Sequence, residues 1–426
     1  MRTSSCCHGS HSPLIHTPRT HTSRTHSAGI PRAAAAPAPR TRQPRSTPTS
    51  APRWGADVGD VLQERLDAAV VVDPAFAQGV AEHVVAFTLD GGKRMRSRFL
   101  WWGLRACGSP VDDASVRAAL RLAAGIELIQ TCALVHDDVL DGSAVRRGRA
   151  AVHVDLAATP GAHASGSGAS FGTGAAILVG DLALAWADDV AAATEFPTHR
   201  AREVRALWQA MRSEMVAGQY LDLYGQATGS RSTSLAIKTA SLKSGLYSVE
   251  RPLAFGAALA GADRRTTRAL CSAGRCAGIA FQLRDDLLGA FGDPRHTGKP
   301  SGDDIREGKV TYLLAVARTR AQATGSRAVL RLLDTRVGGG AALTEGDLER
   351  VRDALVTSGA RNTVETKIRR LLAQSVRHLD RAAPARPAAA PLRDLFCTVA
   401  GLPAAAAPDA AVGPPHALGG SAPGAA

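Results

Sequence analysis

The amino-acid sequence predicts an all-α fold, and three observations support this prediction. Apolar residues recur at three- and four-residue spacing through most of residues 57–380, which is the period of a helix with one buried face. Ala and Leu, which both favour helices, are abundant, whereas aromatic residues make up only 4% of the chain. Alternating Val, Ile and Thr runs bounded by hairpin turns, which would indicate sheet, are scarce. Because 45% of the 426 residues are hydrophobic, the chain can bury the core of a large helical bundle.

Two compositionally biased ends flank the predicted domain. Residues 1–53 consist mostly of Arg, Pro, Thr, Ser, His and Ala, and we expect a disordered leader because these residues can bury almost nothing. This acid-free segment also resembles an organellar transit peptide; a wrongly assigned start codon or a solubilising tail would explain it equally well. Residues 404–426, rich in Ala, Pro and Gly, are expected to form a disordered tail. The domain is therefore predicted to span residues 54–403.

The net charge of +13 is concentrated in the leader. Residues 1–53 carry eight Arg and no Asp, Glu or Lys, so that removing these eight charges leaves +5 for the rest. A modest basic excess suits an anionic small molecule as well as it suits a polynucleotide. The chain lacks aromatic residues interleaved with basic ones and lacks a known nucleic-acid-binding module, so nucleic acid is not predicted as a partner.

The cysteines and the hydrophobic runs bear on the compartment. The seven Cys follow no zinc-site spacing and most lie within apolar helical sequence, which is typical of reduced, buried thiols in a cytoplasmic protein. The sequence has no run of 18 uncharged apolar residues, and its N-terminus lacks the apolar core of a secretory signal. We therefore expect no transmembrane segment and at most peripheral membrane contact.

The first acidic motif is LVHDDVLD at residues 134–141, at the end of an apolar helical run that begins near Ala118. Asp137 and Asp141 are one helical turn apart, so their carboxylates project from the same face. Two carboxylates there repel each other and lose hydration unless a cation lies between them. Magnesium fits, because it takes a few carboxylate oxygens and shares its remaining ligands with phosphates. A helix cap or a solvated acidic turn would produce the same local pattern.

Basic residues lie close to this motif and also upstream of it. Arg146 and Arg147 follow the motif within ten residues, and a diphosphate requires such cationic partners. The segment GGKRMR at residues 91–96 places a glycine turn before a basic helix start, which is a favourable anion site. An ordinary basic helix entry would have the same sequence pattern.

A second acidic motif, FQLRDDLLG at residues 281–289, follows the first after 148 residues. It again places an acidic pair after an apolar helical run, with Gln282, Asp285 and Gly289 along one helix face. Two acidic helix ends that face one cavity would hold a metal cluster between them.

Three further segments complete the chain. Gly, Ser and Ala crowd together in residues 159–174, which predicts a mobile loop between helices. Residues 292–309 contain Gly, Pro, Lys299 and Lys309 and are predicted to form a lid. A last docked helix is indicated by the apolar cluster of Leu392, Leu395, Phe396, Val399 and Leu402.

Taken together, these motifs resemble those of the trans-type polyprenyl diphosphate synthases. The blocks that carry the resemblance are GGKRMRSRF at 91–99, ELIQTCALVHDDVLDGSAVRRGRAAVH at 127–153, GD at 180–181, GQYLDL at 218–223, KSGLYSVERP at 243–252 and FQLRDDLLGAFGDPRHTGKPSGDDIREGK at 281–309. The resemblance implies an isoprenoid-synthase-type helical bundle around a deep central cavity, usually as a homodimer. It also implies that the two acidic motifs face each other across the cavity mouth.

The resemblance implies a role for each matching residue. Asp137 and Asp141 would ligate two magnesium ions and Asp285 a third, with Asp138 and Asp286 in supporting or water-mediated roles. Arg146 would bind the allylic diphosphate. The residues that match the lining of the allylic site are Lys243, Ser244, Gln282, Lys299 and Lys309; Lys238 and Thr239 offer a rival alignment to Lys243 and Ser244. The pocket for isopentenyl diphosphate would contain Lys93, Arg96, Arg147 and Gln130.

Three residues depart from the family pattern. Gln130 stands where the family often has His, and it can donate a hydrogen bond but cannot be charged. Ser97 replaces the usual Pro of the upstream block. Gly289 stands where a third Asp normally ends the second acidic motif, and we expect the substitution Gly289→Asp to be tolerated.

The reaction implied is a magnesium-dependent condensation of isopentenyl diphosphate with an allylic diphosphate. In this family a bulky residue below the first motif stops chain growth, whereas Cys132 and Ala133 are small, so we expect geranylgeranyl diphosphate as the product. A deeper residue such as Ile129 could set the limit instead, which leaves a longer-chain product open. Two further functions stay open as well: a class I terpene cyclase, although its usual second metal motif is missing here, and a non-catalytic partner subunit.

Overall fold

Helices account for almost all of the computed structural model, which describes residues 54–107, 111–161, 166–297, 301–337, 343–382 and 386–403. The predicted leader, the predicted tail and Lys299 lie outside these residues. The prediction of an all-α fold is confirmed. The described strands are the two-residue β1 (Val145–Arg146) and β2 (Arg149–Ala150), which pair antiparallel directly after the first acidic motif.

The first half of the domain contains the helix that carries the first acidic motif, α5. Its elements are α1 (Trp54–Val72), α2 (Pro74–Phe76), the π-helix π1 (Ala77–Ala81), α3 (Glu82–Leu89), α4 (Met95–Arg105), α5 (Asp113–Asp141), α6 (Val152–Ala157), α7 (Gly168–Ala192), α8 (Thr198–Ala227) and α9 (Thr233–Ala240).

The second half contains the helix that carries the second acidic motif, α11. Its elements are the π-helix π2 (Ser241–Glu250), α10 (Arg251–Ala260), α11 (Arg264–Phe291), α12 (Pro294–Thr297), α13 (Asp303–Arg306), α14 (Tyr312–Ala323), α15 (Arg327–Arg336), α16 (Glu345–Thr357), α17 (Ala360–Arg381) and α18 (Arg386–Ala400).

Side-chain caps define where the two motif-bearing helices begin. The Asp112 carboxylate accepts a hydrogen bond from the Ser115 backbone N–H (2.6 Å) before α5, and Asp263 accepts one from Thr266 (2.8 Å) before α11. Each cap satisfies a backbone donor that the first turn of a helix leaves unpaired. Helix α5 ends at Asp141, and Gly142 caps it. The φ of Gly142 is 64°, a backbone conformation that is strained for other residues, and it lets the chain turn immediately after Asp141.

Two hydrophobic clusters form the core, and each is built around one motif-bearing helix. Helix α5 packs against α1, α3, α4, α6 and α7, and its residues Leu122, Ile126 and Ile129 are fully buried. Helix α11 packs against π2, α10, α17 and α18. Because each helix packs one face against the core along most of its length, the core holds the acidic ends in place.

The predicted loop at residues 159–174 is wrong in extent, because helix α7 already begins at Gly168. A Cβ added at Gly172 would overlap the backbone of His153 and lie 2.8 Å from the Cβ of Ala157. The small residues that suggested a loop therefore serve close packing of α7 against α6. Tertiary contact has overridden the low helix propensity of glycine.

The predicted last helix is confirmed as α18. Phe396 is fully buried and stacks on Phe99 of α4, with 5.7 Å between the ring centroids. Leu392 and Leu395 are buried beside it. This contact ties the end of the domain to the helix that follows the basic segment at residues 91–96.

By length and composition alone, α5 and α7 are both apolar enough to cross a membrane. Most of the apolar part of α5 is buried within the fold, whereas less than half of that of α7 is. For α5 the apolar sequence is that of a core helix. Both observations are weak evidence of a membrane span.

Candidate active site

Two carboxylates of the first acidic motif, those of Asp137 and Asp141, are each held by a lysine from elsewhere in the chain. Lys243 of π2 donates from Nζ to Asp137 Oδ1 (2.9 Å), and Lys309 donates from Nζ to Asp141 Oδ2 (2.7 Å). The Asp141 carboxylate is only 1% exposed. The sequence predicts that the two acids need a cation between them, and here each acid pairs with a lysine ammonium group.

The two acids differ in their protonation equilibria. Burial alone would raise the pKa of Asp137, but the charges of Lys243 and Lys309 hold this pKa well below its usual range. Burial and then the neighbouring Asp137 carboxylate raise the pKa of Asp141. Repulsion between the two carboxylates therefore persists despite the lysines, and this repulsion favours binding of a further cation.

Arg146 joins the first motif to the cavity beside it. Its Nε donates to both oxygens of Asp138 (2.8 and 3.0 Å), and one Nη donates to Asp137 Oδ2 (3.4 Å). Asp138 is 1% exposed, so it orients Arg146 from inside the protein. Burial alone would lower the pKa of Arg146, but these hydrogen bonds and the charges of Asp138, Asp137 and Asp285 raise it. The influence of Asp285 indicates that the second acidic motif lies near the first.

Two residues of the motif GQYLDL at 218–223, Gln219 and Asp222, also belong to the site, although the sequence motif alone assigns them no role. Gln219 of α8 donates from Nε2 to Asp137 Oδ1 (3.2 Å), and Asp222 accepts a hydrogen bond from Lys243 (2.6 Å). The three-residue spacing puts both side chains on one face of α8. That spacing was the signal that would have identified them.

The second acidic motif contains one exposed and one buried acid. Asp285 is exposed, whereas Asp286 is 7% exposed and accepts a hydrogen bond from Gln282 Nε2 (2.9 Å). Burial, followed by the charge of Asp304, raises the pKa of Asp286 to about 8. The second motif thus differs from the first, because the partner that hydrogen-bonds its buried acid is the neutral amide of Gln282 and not a lysine.

The predicted lid is docked at the end of α11. The Gly302 backbone N–H donates to the Gly289 carbonyl (2.7 Å), which fixes α13 beside the second motif. Lys309 then lies 3.5 Å from the Asp304 carboxylate while it binds Asp141. Lys309 therefore links Asp141 of the first motif to Asp304 of the segment that is docked beside the second motif.

Because Gly289 has no side chain, the Asp304 carboxylate of the docked segment at residues 301–309 can lie directly against it. A Cβ added at Gly289 would overlap Oδ2 of Asp304 and lie 3.1 Å from its Cγ. The expectation that Gly289→Asp is tolerated stays a prediction, because the overlapping atoms belong to the end of a flexible side chain. The new side chain would have to displace Asp304, and it would place a second carboxylate beside it.

A cavity of about 240 Å³ lies next to Arg146 and brings together five of the predicted binding residues. These are Lys93, Arg96, Gln130, Arg146 and Arg147. Its apolar walls include Phe99, Leu134, Val249 and Phe281. A small cavity with converging polar groups and apolar walls is typical of a ligand pocket.

The charges in this cavity favour an anion. Arg147, with a φ of 54°, donates to the carbonyls of Phe87 (3.1 Å) and Asp90 (2.5 Å), so its own backbone and side chain are constrained. Burial and then the charges of Arg94 and Arg146 lower the pKa of Arg147. Crowding of like charges is relieved by an anion, and a diphosphate would supply it.

Two buried polar atoms in the cavity lack a hydrogen-bond partner among the described residues. They are Nε of Arg96 and Oε1 of Gln130. Buried polar groups in folded proteins are nearly always hydrogen-bonded, so unpaired ones in a cavity indicate a polar ligand.

Two other predicted site residues are placed differently. Ser244 lies half-buried on π2 next to Lys243, and Lys299 lies outside the described residues.

The acidic motifs fit magnesium in the chemistry of their donor atoms. Across the described ranges, no three His, Cys, Asp or Glu side chains already converge in an arrangement that could hold an ion. Lysines instead bind the acids of the first motif. Carboxylate oxygens that repel each other at the edge of a phosphate-sized pocket are nevertheless the ligands that magnesium takes in proteins.

The all-α fold, the cationic cavity and the neighbouring carboxylates fit a class of proteins that bind phosphate-containing ligands together with divalent cations. A family model described as polyprenyl synthetase matches residues 78–339. The chain belongs to the polyprenyl synthetase family, whose members are prenyltransferases that use isoprenoid diphosphates, and the predicted resemblance is confirmed.

Named relatives cover most of the domain. The geranylfarnesyl diphosphate synthase of Aeropyrum pernix is 32% identical over 301 residues, which cover 70% of this chain and 85% of that enzyme. The (2E,6E)-farnesyl diphosphate synthase of Mycobacterium bovis is 31% identical over 305 residues, 71% of this chain and 78% of that enzyme.

A solved structure is similar over the same domain. It is geranylgeranyl pyrophosphate synthase from Corynebacterium glutamicum, complexed with isoprenyl diphosphate and magnesium. The sequences are 36% identical, the TM-score is 0.75, and the match covers 82% of this chain and 98% of that one.

Proposed function

We propose that the chain condenses isopentenyl diphosphate with an allylic diphosphate in a magnesium-dependent reaction and releases geranylgeranyl diphosphate. One observation carries the proposal. Arg146 lines the cationic cavity and also hydrogen-bonds Asp138 and Asp137 of the first acidic motif. Two anionic substrates bound on either side of this arginine would lie close enough to react.

The cavity is the proposed site of isopentenyl diphosphate. Lys93, Arg96 and Arg147 would bind its diphosphate, and Gln130 would supply a neutral hydrogen-bond donor in place of a charged side chain. The apolar walls would enclose the five-carbon unit and exclude water from the reacting double bond.

The acidic motifs are the proposed site of the allylic diphosphate. Asp137, Asp141 and Asp285 would hold three magnesium ions, with Asp138 and Asp286 in support. When bound, magnesium would neutralise charge on the departing diphosphate. Lys243, Lys309 and Arg146 would add their own positive charge to the same group.

The reaction then follows from this placement of charge. The allylic carbon–oxygen bond breaks and its electron pair leaves with the diphosphate, which the cationic side chains stabilise. The double bond of isopentenyl diphosphate supplies the electrons for the new carbon–carbon bond. Loss of a proton, taken up by the released diphosphate, restores a double bond. No covalent intermediate with the protein is required.

Product length depends on the space below the first acidic motif. The relatives named above include a farnesyl and a geranylfarnesyl diphosphate synthase, which make a shorter and a longer product. Cys132 and Ala133, about one helical turn from Asp137, are small, so neither side chain is itself the bulky residue that would stop chain growth. Chromatography of the products formed from labelled isopentenyl diphosphate tests the assignment, and farnesyl diphosphate as the sole product would contradict it.

A homodimer is also proposed. Large apolar side chains are exposed on two neighbouring helices, Phe171, Ile177 and Leu178 on α7 and Val216, Tyr220 and Tyr224 on α8. Exposed apolar patches of this kind favour burial against another chain. Light scattering after size-exclusion chromatography would give twice the monomer mass; a monomer at micromolar concentration would contradict this.

The cytoplasmic location of the protein stays a prediction.

The activity itself is tested with the purified chain and each allylic primer. Diphosphate release should require isopentenyl diphosphate, an allylic primer and magnesium together, and should stop with EDTA. Absence of turnover with every primer would contradict the proposal and favour a non-catalytic partner subunit. Release of a hydrocarbon without isopentenyl diphosphate would instead indicate a terpene cyclase.

A further inference from the structure

Arg96, which lines the proposed isopentenyl pocket, is held by two consecutive side chains of the π-helix π2. Its guanidinium carbon lies 4.2 Å from the centroid of the Tyr247 ring, and one Nη donates to Ser248 Oγ (2.7 Å). Tyr247 is 3% exposed and Ser248 4% exposed. An arginine stacked on a buried ring and hydrogen-bonded at one end loses most of its freedom before any ligand arrives.

The π-helix itself is wedged between two long helices at glycine contacts. A Cβ added at Gly218 of α8 would overlap the backbone of Lys243, and one added at Gly278 of α11 would overlap the carbonyl of Gly245. Backbone contacts this close leave little room for π2 to shift. Tyr247 and Ser248 therefore present a fixed surface to Arg96.

The same π-helix also contributes to the acidic site. Lys243 near its start binds Asp137 and Asp222, whereas Tyr247 and Ser248 near its end contact Arg96. π-helical segments are uncommon and occur frequently at functional sites. One rigid element thus reaches both substrate sites.

We propose that Tyr247 and Ser248 are positioning residues for isopentenyl diphosphate, which act by orienting Arg96 toward its diphosphate. The inference rests on the proposed function, since it assigns isopentenyl diphosphate to this pocket. Ser248 also lines the cavity, whereas Tyr247 is not among its lining residues, so Tyr247 would act only through Arg96. Their effect is to reduce the side-chain entropy that Arg96 loses on binding and to keep its donors aligned.

The test compares truncating and conservative substitutions at both positions. Ser248→Ala should raise the KM for isopentenyl diphosphate about tenfold, because a hydrogen bond to a charged group is lost. Tyr247→Leu should raise it about fivefold, because the stacking ring is lost. The KM for the allylic substrate should change less than about twofold in both. Ser248→Thr and Tyr247→Phe should restore the affinity, since they keep the hydroxyl and the ring.

Matched controls lie elsewhere in the fold. Ser375→Ala removes a buried serine hydroxyl that donates to the Ala273 carbonyl (2.8 Å). Tyr312→Leu removes a ring that lies 5.3 Å from the Lys367 ammonium. Both controls should leave the KM for isopentenyl diphosphate unchanged, which separates loss of positioning from general loss of stability.

Calorimetry measures binding of isopentenyl diphosphate directly, without an allylic primer. It distinguishes failure of the proposed function of this pocket from failure of the positioning role of Tyr247 and Ser248. If Arg96→Ala does not weaken binding, the proposed function is wrong at this pocket. If Arg96→Ala weakens binding while Ser248→Ala and Tyr247→Leu do not, the positioning inference is overturned and the function stands. Equal losses for both substrates would also overturn it. Should Tyr247→Leu fail to fold, Ser248→Ala in an Arg96→Ala background decides the question. No further loss of binding is expected there, and a further loss would show that Ser248 acts on the substrate directly and would overturn the inference.

Discussion

The substitution Gly289→Asp tests whether Asp304, from the docked segment at residues 301–309, occupies the position that a side chain at residue 289 would need. A Cβ at Gly289 would overlap Asp304 Oδ2, so the new carboxylate would lie about 4 Å from that of Asp304. Two unit charges at this distance repel by about 4 kcal/mol at an effective dielectric constant of about 20. The Asp304 side chain is 25% exposed and lies 3.5 Å from Lys309, so we expect about half of this value, about 2 kcal/mol.

Gly289→Ala is the matched control, because it introduces the same Cβ without the charge. Removing a glycine from a helix stabilises it by up to about 1 kcal/mol, which offsets part of the steric cost in both variants. The difference between the Asp and Ala variants therefore contains the repulsion together with up to about 0.7 kcal/mol from the lower helix propensity of Asp, which a Gly289→Asn variant would reproduce without the charge. We expect Gly289→Asp to be about 2 kcal/mol less stable than Gly289→Ala.

The assay is urea unfolding followed by circular dichroism, in EDTA and at low salt. EDTA is needed because a bound cation would offset the repulsion, and raising the salt should shrink the difference. The double variant Gly289→Asp with Asp304→Gly should recover the lost stability. Equal stability of the Asp and Ala variants, or no recovery in the double variant, would refute this reasoning.

Further predictions concern the acidic motif, the packing and the thiols. Asp137→Ala should lower turnover by at least about a hundredfold and should also destabilise the fold, because Lys243 loses one of its two carboxylate partners; diphosphate release and urea unfolding measure the two effects. Gly278→Ala should cost about 1–3 kcal/mol by overlap with the backbone of π2, whereas Gly59→Ala, with nothing within 4 Å, should be neutral or stabilising. Burial raises the pKa of the Cys132 thiol to about 12, so this thiol should resist alkylation at about pH 8 until the protein unfolds; rapid labelling of the native protein would contradict this.

Local patterns in the sequence were sufficient for the helices and for the pairing of acids on one face. The four-residue spacing of Asp137 and Asp141 sets their common direction in any α-helix, whatever packs around it. The apolar period likewise predicted the core faces of α5 and α11. The glycine-rich sequence at residues 168–174 predicted a loop, but these residues are helical. Close packing against α6 outweighed the low helix propensity of glycine.

Contacts between distant parts of the chain could not be predicted from the sequence. Lys243 and Asp137 are 106 residues apart, Arg96 and Ser248 152, and Lys309 and Asp141 168. No periodicity specifies such pairs, since they depend on how whole helices pack.

The sequence alone thus determined an all-α chain with two acidic helix ends and nearby basic residues, because these properties depend on short-range spacing. Tertiary structure decided which lysine binds which acid, that Asp304 fills the space beside Gly289, and that Tyr247 and Ser248 hold Arg96. The physical reason is that charge pairing and close packing act through space, and only the folded backbone sets those distances.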